Sequence, residues 1–197
     1  NVVNPDEVIA RYGADSLRLY EMFMGPLDER KPWSETGVKG VFNFLNRVYR
    51  FFADLSNIIN GPEDKEVEKL LHQTIQKVSS DIENLKFNTA ISALMVFNNL
   101  AIKKGKVTLN TAETFARILS PLAPHLSEEL WSVYGQNKTL AYEPWPEADE
   151  SLLKEDVFEY PVSFNGKMRF KMKLPLDMPE DKIKIIVLTD PRSQKWI

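Results

Sequence analysis

Cysteine is absent from these 197 residues, and histidine occurs only twice. Without cysteine there are no disulfides and no thiolate metal sites, and a reducing compartment suits the chain. His72 and His125 stand far apart, whereas a metal site needs three or four converging ligands. No metal site is therefore expected. Glycine is sparse, and no glycine-rich phosphate loop occurs. No Ser/His/Asp arrangement has a useful local context, and the carboxylates are scattered, so no acid–base pair stands out. No apolar run approaches the roughly 20 residues of a membrane span, and there is no signal peptide. Strong net charge is missing too. At −3, no whole-surface attraction to nucleic acid is implied, and any such contact must come from local patches. The first residue is Asn1 rather than Met, and the chain is read as cut from a longer parent.

What is present is apolar residues at helical spacing. Hydrophobic residues make up 43% of the chain and eleven are Phe, enough to bury a core. Charge is divided unevenly: Tyr160 to Ile197 carries +4, leaving −7 on the remainder. An acidic body with a basic tail predicts two units.

Asn4-Pro5-Asp6-Glu7 predicts a capped helix that stops at Gly13, and a second helix follows over about 15–24. Residues 27–35 read as a loop. Val38, Val41, Leu45, Val48, Phe52, Leu55 and Ile59 form one apolar stripe of a long helix that ends at Gly61-Pro62. Val67, Leu71, Ile75, Val78, Ile82 and Leu85 predict a second long helix. Asn88 caps a third, whose apolar residues wrap most of its circumference and place it centrally. Asn110 and Glu113 predict a capping box for the next helix. A last one runs over about 124–134, after Pro121 and Pro124 and before Gly135. Short connections imply antiparallel neighbours in a helical bundle.

A proline-containing connector from Gln136 to Asp149 follows, and then the period changes. Phe158, Tyr160, Val162 and Phe164 alternate, Asn165-Gly166 is a strong hairpin signal, and Met168, Phe170, Met172 and Leu174 alternate again. A helix is predicted from about Pro179 to Leu188. Two strands and a helix bury little area, so this tail reads as a truncated domain. The expected fold is mainly α: an antiparallel helical bundle followed by a small, truncated α+β unit with a β-hairpin.

The segment Arg11-Tyr12-Gly13-Ala14-Asp15-Ser16-Leu17-Arg18 resembles the stretch after the nucleotide-binding signature loop of class I aminoacyl-tRNA synthetases of the leucine, isoleucine and valine group. Tyr20 to Leu27, Lys31-Pro32-Trp33-Ser34, Gly37-Val38-Lys39-Gly40 and Phe44 to Val48 resemble the leucine enzyme in particular. So do Phe87-Asn88-Thr89-Ala90, Pro121 to His125, Pro144-Trp145-Pro146 and the Phe164-Asn165-Gly166-Lys167 turn. The resemblance covers essentially the whole chain, and it rests on the order and spacing of these segments.

The resemblance implies that residues 1–35 are the end of a catalytic domain leading into the bundle. Residues 36–148 would be an anticodon-binding-type bundle, and 149–197 part of a small C-terminal tRNA-binding domain. It implies a parent leucine–tRNA ligase that uses ATP and Mg2+, is cytoplasmic and monomeric, and binds tRNA(Leu) without reading its anticodon. The catalytic and editing domains would lie elsewhere in that parent, so no catalytic residue is expected here and these residues alone are expected to be inactive. An isoleucyl- or valyl-type parent is one alternative. A helical scaffold or protein-interaction module is another.

Two basic strips are candidate tRNA contacts. Lys39, Asn43, Arg47 and Arg50 line up opposite the apolar stripe of the long helix, either as a phosphate-contacting strip or as an ordinary solvated face. Lys167, Arg169, Lys171 and Lys173 alternate with apolar residues. One strand face would then hold four cations unrelieved by acids, either to attract phosphate or to discourage edge aggregation. Asp15 is expected to cap a helix start with Arg18 as its ion-pair partner, or else to brace the signature loop. Trp131 is expected in the core, Trp145 as a clamp holding the connector, and Trp33 is open.

Overall fold

A computed structural model describes residues 3–26, 29, 32–153, 157–175 and 178–196, with the side chains of Val157 and Phe158 left aside. Residues 27, 28, 30 and 31 of the expected loop lie outside these. The chain divides into two compact units, 1–153 and 154–197.

Unit 1 is helical. Pro5–Tyr12 (α1) starts as predicted: the Asn4 side chain accepts from the Asp6 amide at 3.0 Å, and Pro5 takes the first position, where no N–H is needed. Gly13, at φ 84°, turns the chain into Ala14–Phe23 (α2). Glu35–Phe52 (α3) buries Val38, Val41, Phe44, Leu45, Val48, Phe51 and Phe52.

The stripe predicted to continue to Ile59 stops at Phe52. The Asp54 carboxylate captures the Ser56 amide at 2.9 Å and the Asn57 side chain donates to the Phe51 carbonyl. These local bonds outcompete the helix, as short polar side chains do. The chain passes through a 3-10 turn at Leu55–Asn57 into a two-residue strand, Ile58–Ile59 (β1).

Lys65–Glu83 (α4) and Phe87–Lys104 (α5) form a hairpin whose turn holds Leu85 at φ 56°. Asn88 does not cap α5. The buried Asp81 carboxylate ties the hairpin instead, accepting from Thr89 Oγ1 and Lys77 Nζ, each at 2.6 Å. Val107–Thr108 (β2) pairs in parallel with β1, Ile58 against Val107. Leu109–Leu119 (α6) is capped by Thr108, which accepts from the Thr111 amide, rather than by the expected Asn110–Glu113 box; the Glu113 carboxylate accepts from Gln136. Pro124–Val133 (α7) follows.

The core is stitched across three helices by Phe115, whose ring stacks on Phe52 at 4.7 Å and on Phe97 at 5.3 Å. Trp131 is buried among these helices, as expected. The β1–β2 pairing joins the segments that leave α3 and α5. Arg47 of α3 also meets Asn99 of α5, each five residues before its helix end, so the two helices run in the same direction.

The connector lies against the bundle. The Trp145 indole N–H donates to Ser79 Oγ at 2.7 Å, and the Asp149 amide donates to His72 Nδ1 at 3.0 Å. Trp145 is the expected clamp. Glu128 holds the 3-10 turn Leu140–Tyr142 through bonds from Thr139 Oγ1 and the amides of Leu140 and Ala141. Glu150–Leu153 (α8) packs on α4.

Unit 2 is a hairpin of Val157–Phe164 (β3) and Lys167–Pro175 (β4), with Glu180–Thr189 (α9) packed on one side. Asn165 and Gly166 both have positive φ, 52° and 72°, the conformation the Asn-Gly pair predicts. Val162, Met172 and Leu174 are buried, with Ile183, Ile186 and Val187 against them.

Asp15 does not cap its own helix. Its carboxylate crosses to α7, where Oδ2 accepts from the Leu126 amide at 2.8 Å and Oδ1 takes His125 Nδ1 at 2.8 Å and, at 3.4 Å, the His125 amide. Pro124 is the first residue of α7, so Asp15 meets the next two donors of a helix that has no cap of its own. Arg18 donates to the Pro121 carbonyl at 3.1 Å rather than pairing with Asp15. We predict that Asp15→Ala lowers stability by about 2 kcal/mol in chemical denaturation, because it leaves helix-end donors unmet.

Gly37 makes a second tight junction. A Cβ there would lie 2.5 Å from the Tyr20 ring, which is buried and whose hydroxyl accepts from the Ser34 amide at 2.7 Å. Gly37→Ala is expected to cost about 1–3 kcal/mol by overpacking, read in the same denaturation series.

Candidate nucleic-acid interface

The outer face of α3 carries the first predicted strip, and Lys39, Asn43, Arg47 and Arg50 are all exposed on it. The structure adds a member that the sequence did not point to. Arg47 Nη2 donates to Asn99 Oδ1 of α5 at 2.6 Å. Arg47 stands five residues before the end of α3, and Asn99 five before the end of α5. Because the two helices run together, Arg50 and Lys103 then fall at nearly the same level. Ser92, Val96, Asn99 and Lys103 form the exposed stripe of α5.

The charged residues that α3 and α5 themselves supply are almost all basic. In α3 the only carboxylate is Glu35, which pairs with Arg11 at 3.2 Å, and α5 contains none. The chain has 28 acidic residues, so two long helices almost free of them stand out. Arg47 is held by a neutral amide, which orients the guanidinium without cancelling its charge. Lys104 behaves differently. Glu66 and Asp64 hold its ammonium at 2.8 and 3.0 Å and push its pKa above the ordinary lysine range. It belongs to the α4–α5 junction rather than to this face.

The second strip, in unit 2, departs from the expected pattern in two ways. The β3–β4 register pairs Val162 with Phe170 but Ser163 with Met168, so Arg169 is an extra residue at a bulge. A bulge shifts the alternation. Beyond it Met168 opposes Ser163 and is exposed, while Lys167 opposes Phe164, on the apolar side. The shared face therefore holds Arg169, Lys171 and Lys173, not four cations. Nor is it free of acid, because Glu159 opposes Lys173 and its carboxylate pairs with Lys171 Nζ at 3.0 Å. Arg169 lies over the Trp196 ring at 3.7 Å, a cation–π contact that fixes its direction and keeps its charge.

Elsewhere, a cleft of about 240 Å³ is lined by Val3, Glu7, Val8, Arg11, Tyr12, Trp33 and Glu35. Its charged groups include the Arg11–Glu35 pair already described, and among its described residues no nucleophile stands beside a base. Trp33 stacks edge-on against Tyr20 at 5.0 Å and stays partly exposed. Among the described residues no three His, Asp or Glu side chains converge on one point, and no helix is long and apolar enough to cross a membrane.

Comparison with known proteins gives this geometry its context. A family model for the anticodon-binding domain of tRNA ligase matches residues 64–185. The leucine–tRNA ligase of Cytophaga hutchinsonii is 45% identical over all of this chain, and that of Flavobacterium psychrophilum 46%. The chain spans 22% and 21% of their lengths. It also superposes, with a TM-score of 0.84 and 33% identity, on the Agrobacterium radiobacter K84 agnB2 LeuRS in its ternary complex with tRNA and LeuAMS. That match covers 99% of this chain and 28% of the other. The chain belongs to the anticodon-binding domain family of tRNA ligases, in its leucyl-tRNA synthetase branch.

Proposed function

We propose that this chain is the tRNA-docking part of a leucine–tRNA ligase. In this reading residues 1–35 lead out of the catalytic domain, 36–148 form the bundle, and 149–197 begin the C-terminal tRNA-binding domain. The parent activates leucine with ATP and Mg2+ and transfers it to tRNA(Leu). The present residues hold the body of the tRNA so that its acceptor end reaches the catalytic and editing sites of the same protein. Binding energy gathered far from the chemistry is used there for orientation. No chemical step is assigned to these residues. The parent is taken as a cytoplasmic monomer.

The observation that carries this reading is the acid-poor pair of helices α3 and α5, with Arg47 braced by Asn99, on a fold shared with a LeuRS seen bound to tRNA. Contacts from such a face go to phosphate and sugar, which position an RNA without reading its bases. In unit 2, Arg169, Lys171 and Lys173 supply a second phosphate-facing strip, with Lys171 held back by Glu159. The leucine ligases among the relatives favour a leucine parent over an isoleucyl or valyl one. A face to which α3 and α5 contribute almost only cations favours RNA docking over a scaffold role.

In the full-length protein, Arg47→Ala is expected to weaken tRNA(Leu) binding roughly tenfold, the loss of one charge-assisted contact, while ATP–pyrophosphate exchange with leucine is unchanged. The slope of log affinity against log salt should flatten by about 0.7–0.9. Unchanged binding would remove the α3 face from the interface.

Glu159→Gln releases Lys171 and is expected to tighten tRNA binding a few-fold at low salt, with the gain fading as salt is raised. Equal affinity at all salt concentrations would mean that the β4 strip faces solvent only.

A further inference from the structure

Resting on the tRNA-docking reading, we infer that Gly40 is a seat at which the RNA sugar–phosphate backbone lies directly against α3. Gly40, Asn43, Arg47 and Arg50 follow one another at spacings of three, four and three, so Gly40 continues the polar strip by one more turn.

The two glycines of α3 differ in what explains them. Gly37 is required by the fold, because a Cβ there collides with Tyr20. Gly40 is exposed, its φ lies outside the left-handed region, and a Cβ built on it meets nothing within 4 Å. Nothing among the described residues asks for glycine at this point. A glycine inside a helix is a liability, since it carries the largest backbone entropy loss on folding and a poor helix propensity. What its missing side chain does provide is a low, bare patch of helix backbone beside two polar side chains.

The occupant is set by charge. The strip around Gly40 presents Lys39, Arg47 and Arg50, and the neighbouring α5 stripe presents Asn99 and Lys103. No carboxylate of α3 or α5 lies on this face except Glu35 at the helix start, which Arg11 engages. A polyanion fits that pattern, and a neutral or basic protein surface does not exploit it. Asn43 and Asn99 add neutral amide groups that can meet ribose hydroxyls and phosphate oxygens alike. A backbone strand crossing at Gly40 comes close enough for the side chains on either side to reach it.

The test is a size series at one position in the full-length protein. Gly40→Ala and Gly40→Leu are measured beside Arg47→Ala for tRNA(Leu) affinity, with hydrogen exchange of the α3 amides as the structural readout. Both substitutions favour the helix, so α3 amides should exchange as slowly as in the parent or more slowly. Affinity should nevertheless fall, a few-fold for Ala and at least tenfold for Leu. If Arg47→Ala weakens binding while both Gly40 variants bind normally, the seat is wrong and the docking reading stands. If neither position affects binding, both fail. Faster α3 exchange in the Gly40 variants would show that the glycine serves the helix itself, which also overturns the seat.

Discussion

Phe115 stands between Phe52 and Phe97, and through that stack α6 locks α3 and α5 into one core. The rest of unit 1 depends on this contact. Burying large aromatic rings contributes more per residue than any polar link in the molecule, and offset ring packing adds direction to the burial. With α3 and α5 fixed at their inner faces, the β1–β2 pairing joins the segments that leave their C-terminal ends. Their outer faces then have no freedom. Arg47 meets Asn99 because the phenylalanines behind them have already decided where both helices lie.

The polar contacts act at the ends of helices, where backbone groups would otherwise go unmet. Asp15 supplies donors' partners at the start of α7 from a different helix, and Arg18 takes the Pro121 carbonyl just before it. The segment between α1 and α3 is thus fastened to the start of α7, more than a hundred residues on, by one buried carboxylate and one exposed guanidinium. Asp81 does comparable work inside the α4–α5 hairpin. Such contacts decide which ends meet, while the apolar stripes decide which faces meet.

Much of this was legible in the sequence, and the exceptions have physical causes. Helix faces were readable because apolar spacing is a local property: Val38, Val41, Leu45 and Val48 are buried as their period requires. Caps were less readable. Asn88 and Asn110 look like caps, but Thr89 reaches Asp81 and Thr108 accepts from Thr111, choices settled by the facing helix across the α4–α5 turn or by the strand that precedes the helix. The end of α3 was misread because Leu55 and Ile59 continue the period while Asp54 and Asn57 divert the backbone. On the candidate interface, Lys39, Asn43, Arg47 and Arg50 share a face as expected, but Asn99 was invisible. A polar residue on a mostly apolar helix acquires meaning only when another helix is laid beside it. On β4 the bulge at Arg169 could not be anticipated from an unbroken alternation, and it moved Lys167 off the strip.

An acidic chain can still offer a surface to RNA because screening makes charge a local matter. At physiological ionic strength exposed charges lose sight of each other beyond about 8 Å. The carboxylates on other faces of the molecule therefore matter little to a ligand lying along α3 and α5, and the local absence of acids there matters greatly. This also gives the neutral partner of Arg47 its importance. A carboxylate in place of Asn99 would orient the guanidinium just as firmly, but it would satisfy the charge internally and leave little for a ligand. An amide oxygen restrains the side chain, removes part of its rotamer entropy before binding, and leaves the positive charge facing outward. Lys171 on the hairpin illustrates the other arrangement, where Glu159 holds the cation and reduces what it offers. The two units therefore present cations prepared to different degrees, and the α3/α5 face is the one where position and charge are both kept.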